Sequence, residues 1–360
     1  MATVLHTESS GGYGGQEIRT LVEVRWLLGH GWGALIACQP DSPLFAEAKA
    51  LAIPVEPLWM RSAVDVGALL RLRRLIRDRG ISLVHTHSSV DSWVAGVAAK
   101  SLGRPVVRTR HVSIPIRRRR ALVYRLADRI ITSGESVRSI VIAAGIAPER
   151  VVTISAGVDG DRFHPGVSGR SVRLELGLGE VPVVGLVANV RGSKGHNVFL
   201  EAAGAVLASR PDARFLIVGD GVGFDEVSRR VRQMGLDTSV RLTGFRRDVP
   251  EVMAALDVLV LPSIRSEAIP QVIPQALAVG TPVVASTVGG SPELIRDGEN
   301  GRLVPPGDSR ALADAILALL RDPERARAMA RAGQAMVRER YTIDATMART
   351  TAVYRELVGA

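Results

Sequence analysis

Glu267 and Gln275 stand eight positions apart in a run that begins Val258-Leu-Val-Leu-Pro-Ser263 and closes Pro274-Gln275-Ala-Leu-Ala-Val-Gly280. The run reads as a buried β-branched strand, a polar loop and a helix. Glu267 then sits at the carboxyl end of a strand, where open α/β sheets receive ligands. Pro270 and Pro274 both suit a first helical turn, so the backbone N–H groups near Ile269 are expected to point outward with the positive end of the helix dipole behind them. Such a helix start favours an anion, and phosphate is the expected one.

A second group lies at another strand end, in Asn189-Val-Arg191-Gly-Ser-Lys194-Gly-His196. Only three of the 46 basic residues are lysine, so Lys194 beside Arg191 departs from the compositional background, and the two together can neutralise a diphosphate. Nearer the N-terminus, Ser9-Ser-Gly-Gly-Tyr-Gly14-Gly15-Gln-Glu17 leads into helical periodicity. Its glycines are expected to allow close backbone approach and positive φ, the geometry that cradles a phosphate. A dinucleotide fingerprint would need glycine where Glu17 stands, and the Walker Lys-Ser/Thr is missing, which argues against the common NAD and P-loop readings.

His111 closes Val106-Val-Arg-Thr-Arg-His111, where an imidazole can donate to a substrate hydroxyl or to developing charge. His85 and His87 fall on one face of a strand, but no third ligand is evident, so they are expected to be structural and no metal site is expected. Asp159-Gly-Asp161 reads as turn chemistry. The one cysteine, Cys38, lies in an apolar run and is expected to pack in a core.

These groups need strands to hold them. Apolar runs at 3–6, 34–37, 55–59, 83–85, 106–107, 130–131 and 151–154 alternate with helical patterns. After a short polar stretch at 167–179 the series restarts at 183–188, 215–219, 240–243, 258–261, 283–286 and 303–304. Such alternation implies parallel sheets covered on both faces by helices. The expected architecture is α/β with two doubly wound, Rossmann-like domains, at 1–165 and 166–340. The segment from about Ala311 to Leu357 reads as helical, with residues 341–360 expected to pack back on the first domain.

With 360 residues and 46% hydrophobic content, the chain can bury two cores. It lacks a run of about 18 apolar residues and a secretory leader pattern, so a cytoplasmic location is expected. Its net charge of +10 is concentrated in residues 1–166, which hold 22 Lys and Arg against 14 Asp and Glu. The focus is Arg117-Arg118-Arg119-Arg120, flanked by apolar residues. With 4% aromatic content and no recognised motif, nucleic acid is not the expected partner. An anionic acceptor or an anionic membrane surface is, alongside the plainer reading of a solvated arginine face.

Taken in order, these motifs, with Gly157-Val-Asp-Gly-Asp-Arg-Phe-His-Pro165, Val218-Gly-Asp-Gly221 and Gly289-Gly-Ser-Pro-Glu293, resemble the group 1, family 4 retaining glycosyltransferases over nearly the whole chain. The resemblance implies the GT-B architecture, two Rossmann-like domains facing a cleft, with the acceptor in the first and a nucleotide-sugar donor in the second. It implies that Gly14 and Gly15 approach the donor phosphates, that Arg191 and Lys194 neutralise the leaving diphosphate, and that the Ile269 loop adds backbone donors. His111 would touch the transferring sugar. Glu267 matches the first acid of the family's Glu-x7-Glu motif and would hold sugar hydroxyls, while Gln275 stands where relatives place the ribose-binding acid. Asn189 occupies a position where relatives often carry arginine, and Ala156 one where they carry asparagine. No cofactor and no metal are then expected, and the acceptor is a glycan or a lipid-linked molecule at the inner face of a membrane. A sugar-nucleotide isomerase and a non-catalytic nucleotide-binding module share the architecture and are the alternatives.

Overall fold

The computed structural model describes residues 1–359 except Ser266, without the side chains of Arg118, Arg119 and Arg120. The chain divides into two compact units, Met1–Gly157 with Ile343–Ala360, and Val158–Thr342.

The first unit is built on seven strands: β1 (Thr3–Glu8), β2 (Gly33–Cys38), β3 (Val55–Pro57), β4 (Leu83–Thr86), β5 (Val106–Arg110), β6 (Arg129–Thr132) and β7 (Val151–Thr153). All pair in parallel, in the order β3-β2-β1-β4-β5-β6-β7. Helices α1 (Gly15–Gly29), α2 (Pro43–Ala50), α3 (Val66–Asp78), α4 (Ser89–Lys100) and α5 (Glu135–Ala143) connect them. Alternate residues of each strand feed opposite layers, Leu5 and Val84 packing with Leu72 and Tyr124, and Val4 and Leu83 with Leu27 and Tyr354. That double burial explains why the strands read as continuous apolar runs. Cys38 is buried in the second layer, and burial pushes its thiol up to about 12.

The second unit carries β8 (Val183–Val187), β9 (Arg214–Val218), β10 (Val240–Gly244), β11 (Val258–Leu261), β12 (Val283–Ser286) and β13 (Arg302–Val304), parallel in the order β10-β9-β8-β11-β12-β13. Its helices are α6 (Arg170–Glu175), α7 (His196–Ser209), α8 (Phe224–Gln233), α9 (Val249–Ala255), α10 (Val272–Val279), α11 (Ser291–Leu294), α12 (Ser309–Arg321) and α13 (Pro323–Arg340). Asp322 separates the last two: its carboxylate accepts from the Arg325 N–H, and Pro323 opens α13. The final helix, α14 (Ile343–Val358), buries Met347, Val353 and Tyr354 in the first unit.

In each sheet the strand order reverses once, between β1 and β4 and between β8 and β11, and those are the crevices where doubly wound sheets bind ligands. All thirteen strands fall on runs the sequence marks. Two details differ. The first unit ends at Gly157 rather than 165, because Val158 and Phe163 are buried in the second unit's core and the Val158 N–H bonds the Tyr341 carbonyl at 2.6 Å. The polar stretch 167–179 contains α6, whose one buried residue, Val172, is too sparse a signal to mark a helix. Among the described residues, no helix is long and apolar enough to cross a membrane.

Candidate functional site

In the second unit, the loops after β8 and β11 meet at the reversal of strand order. The loop from β8 forms a 3₁₀ turn at Gly192–Lys194 and enters α7 through Gly195, whose φ is +72°. A Cβ there would lie 1.9 Å from the Pro262 carbonyl oxygen, so only glycine lets this loop close on the end of β11. The Ile264 N–H then bonds the Ser193 carbonyl at 2.9 Å. This draws Lys194 against Glu267, with Nζ 2.5 Å from Oε1 and both side chains largely buried.

Ser263 Oγ donates to the same oxygen at 2.5 Å. Among the described residues both bonds fall on Oε1. Behind Glu267 stands Gly289, with φ +56°, where a Cβ would lie 1.8 Å from the Glu267 carbonyl. Ile269 is half-buried in the loop before α10, and Gln275 is half-buried in the first turn of that helix. Arg191 is exposed where the β8 loop begins. His196, the first residue of α7, is buried, and that burial pulls its imidazole down to about 4. Asp159 and Asp161 form a turn, the Asp161 N–H bonding Asp159 Oδ1 at 3.0 Å.

In the first unit, the glycine-rich loop departs from expectation. Gly14 is extended (φ −164°), and neither it nor Gly11, Gly12 or Gly15 has positive φ. Helix α1 starts directly from extended chain because Glu17 reaches back to accept from the Gly14 N–H at 2.8 Å. The space above Gly15 is open.

Beside this loop, Glu8 ends β1. Its Oε1 accepts from the Ser10 N–H at 2.8 Å and from Ser88 Oγ, and its Oε2 from Gln16 Nε2. Burial, with the nearby Asp91 carboxylate adding, raises Glu8 to about 7 despite those bonds.

The sequence shows no third ligand near His85 and His87; the structure supplies two. His6 and Glu23 join them, with ligand atoms mutually within 4.8 Å, because His6 pairs with His85 across β1 and β4 while Glu23 faces them from α1. Neither contact is visible in local spacing. Most ring nitrogens here are already engaged: His6 Nδ1 with His87 Nε2 at 3.0 Å, His87 Nδ1 with His111 Nε2 at 3.2 Å, and His85 with Tyr354 Oη at 2.6 Å and Thr109 Oγ1 at 2.7 Å. His6 Nε2 and Glu23 Oε2 stay buried without a hydrogen-bond partner. Burial first, then cationic neighbours, pulls His6 down to about 3 and holds His85, His87 and His111 well below the usual imidazole value.

His111 thus ends a buried chain of imidazoles and opens into a cavity of about 300 Å³. Arg108, Arg110, Ser88, Ser89 and Tyr124 line it too. Arg117 is exposed just before a 3₁₀ helix over Arg118–Leu126; the remaining three arginines of the expected basic patch have side chains outside the described set. Sequence reading missed Glu8, His6, Glu23 and Arg108. Arg108 and Arg110, two apart inside a buried parallel strand, were the readable signal for the last, since such strands are otherwise apolar.

Residues 13–162 match the family model described as Glycosyltransferase Family 4, and residues 181–322 the one described as Glycosyl transferases group 1. The phosphatidyl-myo-inositol mannosyltransferase of Mycobacterium leprae is 30% identical over 342 residues, 91% of this chain and 88% of its own. The UDP-Gal:alpha-D-GlcNAc-diphosphoundecaprenol alpha-1,3-galactosyltransferase of Escherichia coli is 27% identical over 309 residues, 80% of each chain. Anabaena HepE, in its complex with UDP and glucose, aligns with a TM-score of 0.85 at 25% identity, over 99% of this chain and 100% of that one.

Proposed function

The chain belongs to the group 1, family 4 glycosyltransferases and has their GT-B fold, and from that premise we propose that it transfers a hexose from a nucleoside diphosphate sugar to a hydroxyl of a glycan or lipid-linked acceptor, with retention at the anomeric carbon. The observation that carries this reading is the placement of Lys194 and Glu267 together at the strand-order reversal of the second unit.

Departure of a nucleoside diphosphate places negative charge on phosphate and positive charge on the sugar ring. Lys194 and Arg191 are the cations for the phosphates, and the loop at Ile269 adds backbone N–H donors. Glu267 accepts from sugar hydroxyls near the reacting carbon. Gln275 holds the ribose through its amide, and Gly14 and Gly15 leave room for the donor phosphates. His111, held neutral, donates to the transferring sugar. In the transfer itself the acceptor oxygen bonds to the anomeric carbon on the face the phosphate leaves. The C–O bond to phosphate breaks with its electron pair, and the acceptor's proton passes to the departing phosphate oxygen.

The donor class draws support from HepE, whose complex contains UDP and glucose, and the acceptor class from the two relatives, named for transfer to phosphatidyl-myo-inositol and to a diphosphoundecaprenol-linked sugar. Function beside an anionic membrane surface follows from such an acceptor together with the Arg117–Arg120 run. The test is incubation with UDP-glucose, UDP-galactose and GDP-mannose against lipid-extract acceptors, with NMR of the product. An α-linked glycoside supports the proposal. A β-linked one refutes retention, and conversion of donor without acceptor identifies an isomerase instead.

A further inference from the structure

The cavity of the first unit is lined by a buried cation that makes no ion pair among the described residues. Arg108 is 6% exposed, and its Nε and Nη1 have no hydrogen-bond partner. Its guanidinium lies 4.0 Å from the centre of the Tyr124 ring, and among the described residues it makes no ion pair. Asp91 acts on it electrostatically without pairing with it, its oxygens accepting instead from Thr7 Oγ1, Ser9 Oγ and the His87 N–H. A buried cation without an anion is costly, so an orphan of this kind marks a place where an anion from outside completes the structure.

The rest of the lining agrees. Arg110 supplies a second cation, positioned by bonds from Nη1 to Tyr124 Oη and from Nη2 to the Ile114 carbonyl. Among the described residues, no carboxylate lines the cavity. Ser88 and Ser89, at the N-terminal end of the twelve-residue α4, border it, so the positive end of that helix dipole adds to the field. Val112, Ile114, Pro115 and Ile116 supply apolar lining.

We propose that this cavity binds a phosphate ester carried by the acceptor, with Arg108 and Arg110 holding the phosphate and the 112–116 wall seating the apolar part beside it. This rests on the glycosyltransferase reading and names the chemistry of its acceptor. His87 and His111 are kept neutral by burial and so serve as hydrogen-bonding groups at the cavity, while its positive charge comes from the two arginines. A phosphate accepts several N–H bonds at once and matches the planar guanidinium, which a neutral sugar hydroxyl does not.

The test is calorimetric titration of the full chain, and of its Arg108→Gln and Arg110→Gln variants, with inorganic phosphate and hexyl phosphate, beside sedimentation with phosphatidylglycerol and phosphatidylcholine vesicles. Hexyl phosphate should bind more tightly than inorganic phosphate, and each variant should weaken it about tenfold or more. UDP affinity should stay unchanged, which also reports an intact fold. Should Arg108→Gln fail to fold, Arg110→Gln decides. Arginine-dependent retention on phosphatidylglycerol vesicles identifies a lipid phosphodiester; hexyl phosphate binding without vesicle binding identifies a soluble phosphate ester. Unchanged hexyl phosphate affinity in the folded variants, or its displacement by UDP, overturns the proposal. Absence of sugar transfer alongside intact, arginine-dependent phosphate binding instead fails the transferase reading and leaves this one standing.

Discussion

Lys194 Nζ lies 2.5 Å from Glu267 Oε1, joining the loop after β8 to the loop after β11 at the point where the strand order of the second unit reverses. The two groups proposed for opposite ends of the breaking bond, the phosphate and the sugar, hold each other in place before a donor arrives. Both side chains are largely buried, at 13% and 6% exposure, so the pair is weakly screened.

Removing one partner leaves the other charge buried and alone. Lys194→Ala should therefore abolish most transfer and lower stability by about 3 kcal/mol, and Glu267→Ala should do the same. The double variant should recover much of the lost stability without recovering activity. Chemical denaturation of the three variants, run beside a transfer assay, checks this. Additive losses in stability would show the pair to be uncoupled.

Glu8 gives a pH dependence of definite sign. Its carboxyl is raised from 4.5 to about 7 in the fold, so between those values the native state holds a proton that the unfolded chain does not. Stability from this group is fully present below about pH 4.5 and is lost as pH rises through 7. Glu8→Gln, which cannot ionise, should then be more stable than wild type at pH 8, by up to about 3 kcal/mol, and should lose that advantage at pH 5. Urea midpoints at the two pH values measure the difference.

Tyr354 ties α14 to the sheet of the first unit through its 2.6 Å bond with His85 Nδ1. Tyr354→Phe keeps the ring in the core and leaves that buried nitrogen unsatisfied. The expected loss is about 1–3 kcal/mol, read from thermal or chemical unfolding.

In the proposed donor site Gln275 supplies a neutral amide where an acid would make a charge-assisted bond to the ribose. Gln275→Glu should tighten nucleoside diphosphate binding about fivefold, a gain of about 1 kcal/mol, by calorimetry. Weaker binding would place Gln275 outside the ribose contact.

Transfer should also survive chelation. The cations assigned to the leaving diphosphate are Lys194 and Arg191, so rates with excess EDTA and with added magnesium should agree. A strong dependence on magnesium would move phosphate neutralisation from these side chains to an ion.

Much of the fold was legible because doubly buried strands are written as near-continuous apolar runs, and Val258–Leu261 or Val183–Val187 needs no partner to be recognised. The same runs place Lys194, Glu267 and His111 in the loops that follow strands, and the structure puts them there. What stayed hidden depends on contacts between distant segments. His6 and His87 are 81 positions apart, and Glu23 meets them only because α1 packs across that face of the sheet. Glu8 reads as one more strand residue until burial and Asp91 raise its carboxyl. The glycine loop misled in detail, since composition permits positive φ without requiring it, and the Glu17 cap made extended chain sufficient.

The central claim, that the second unit holds a nucleoside diphosphate sugar through Lys194, is tested most directly by thermal stabilisation of wild type and Lys194→Ala against UDP, GDP, ADP, CMP and NAD. The account predicts that one nucleoside diphosphate raises the wild-type melting temperature selectively and that the shift disappears in folded Lys194→Ala. A shift of equal size in the variant, or a response to NAD alone, would contradict it.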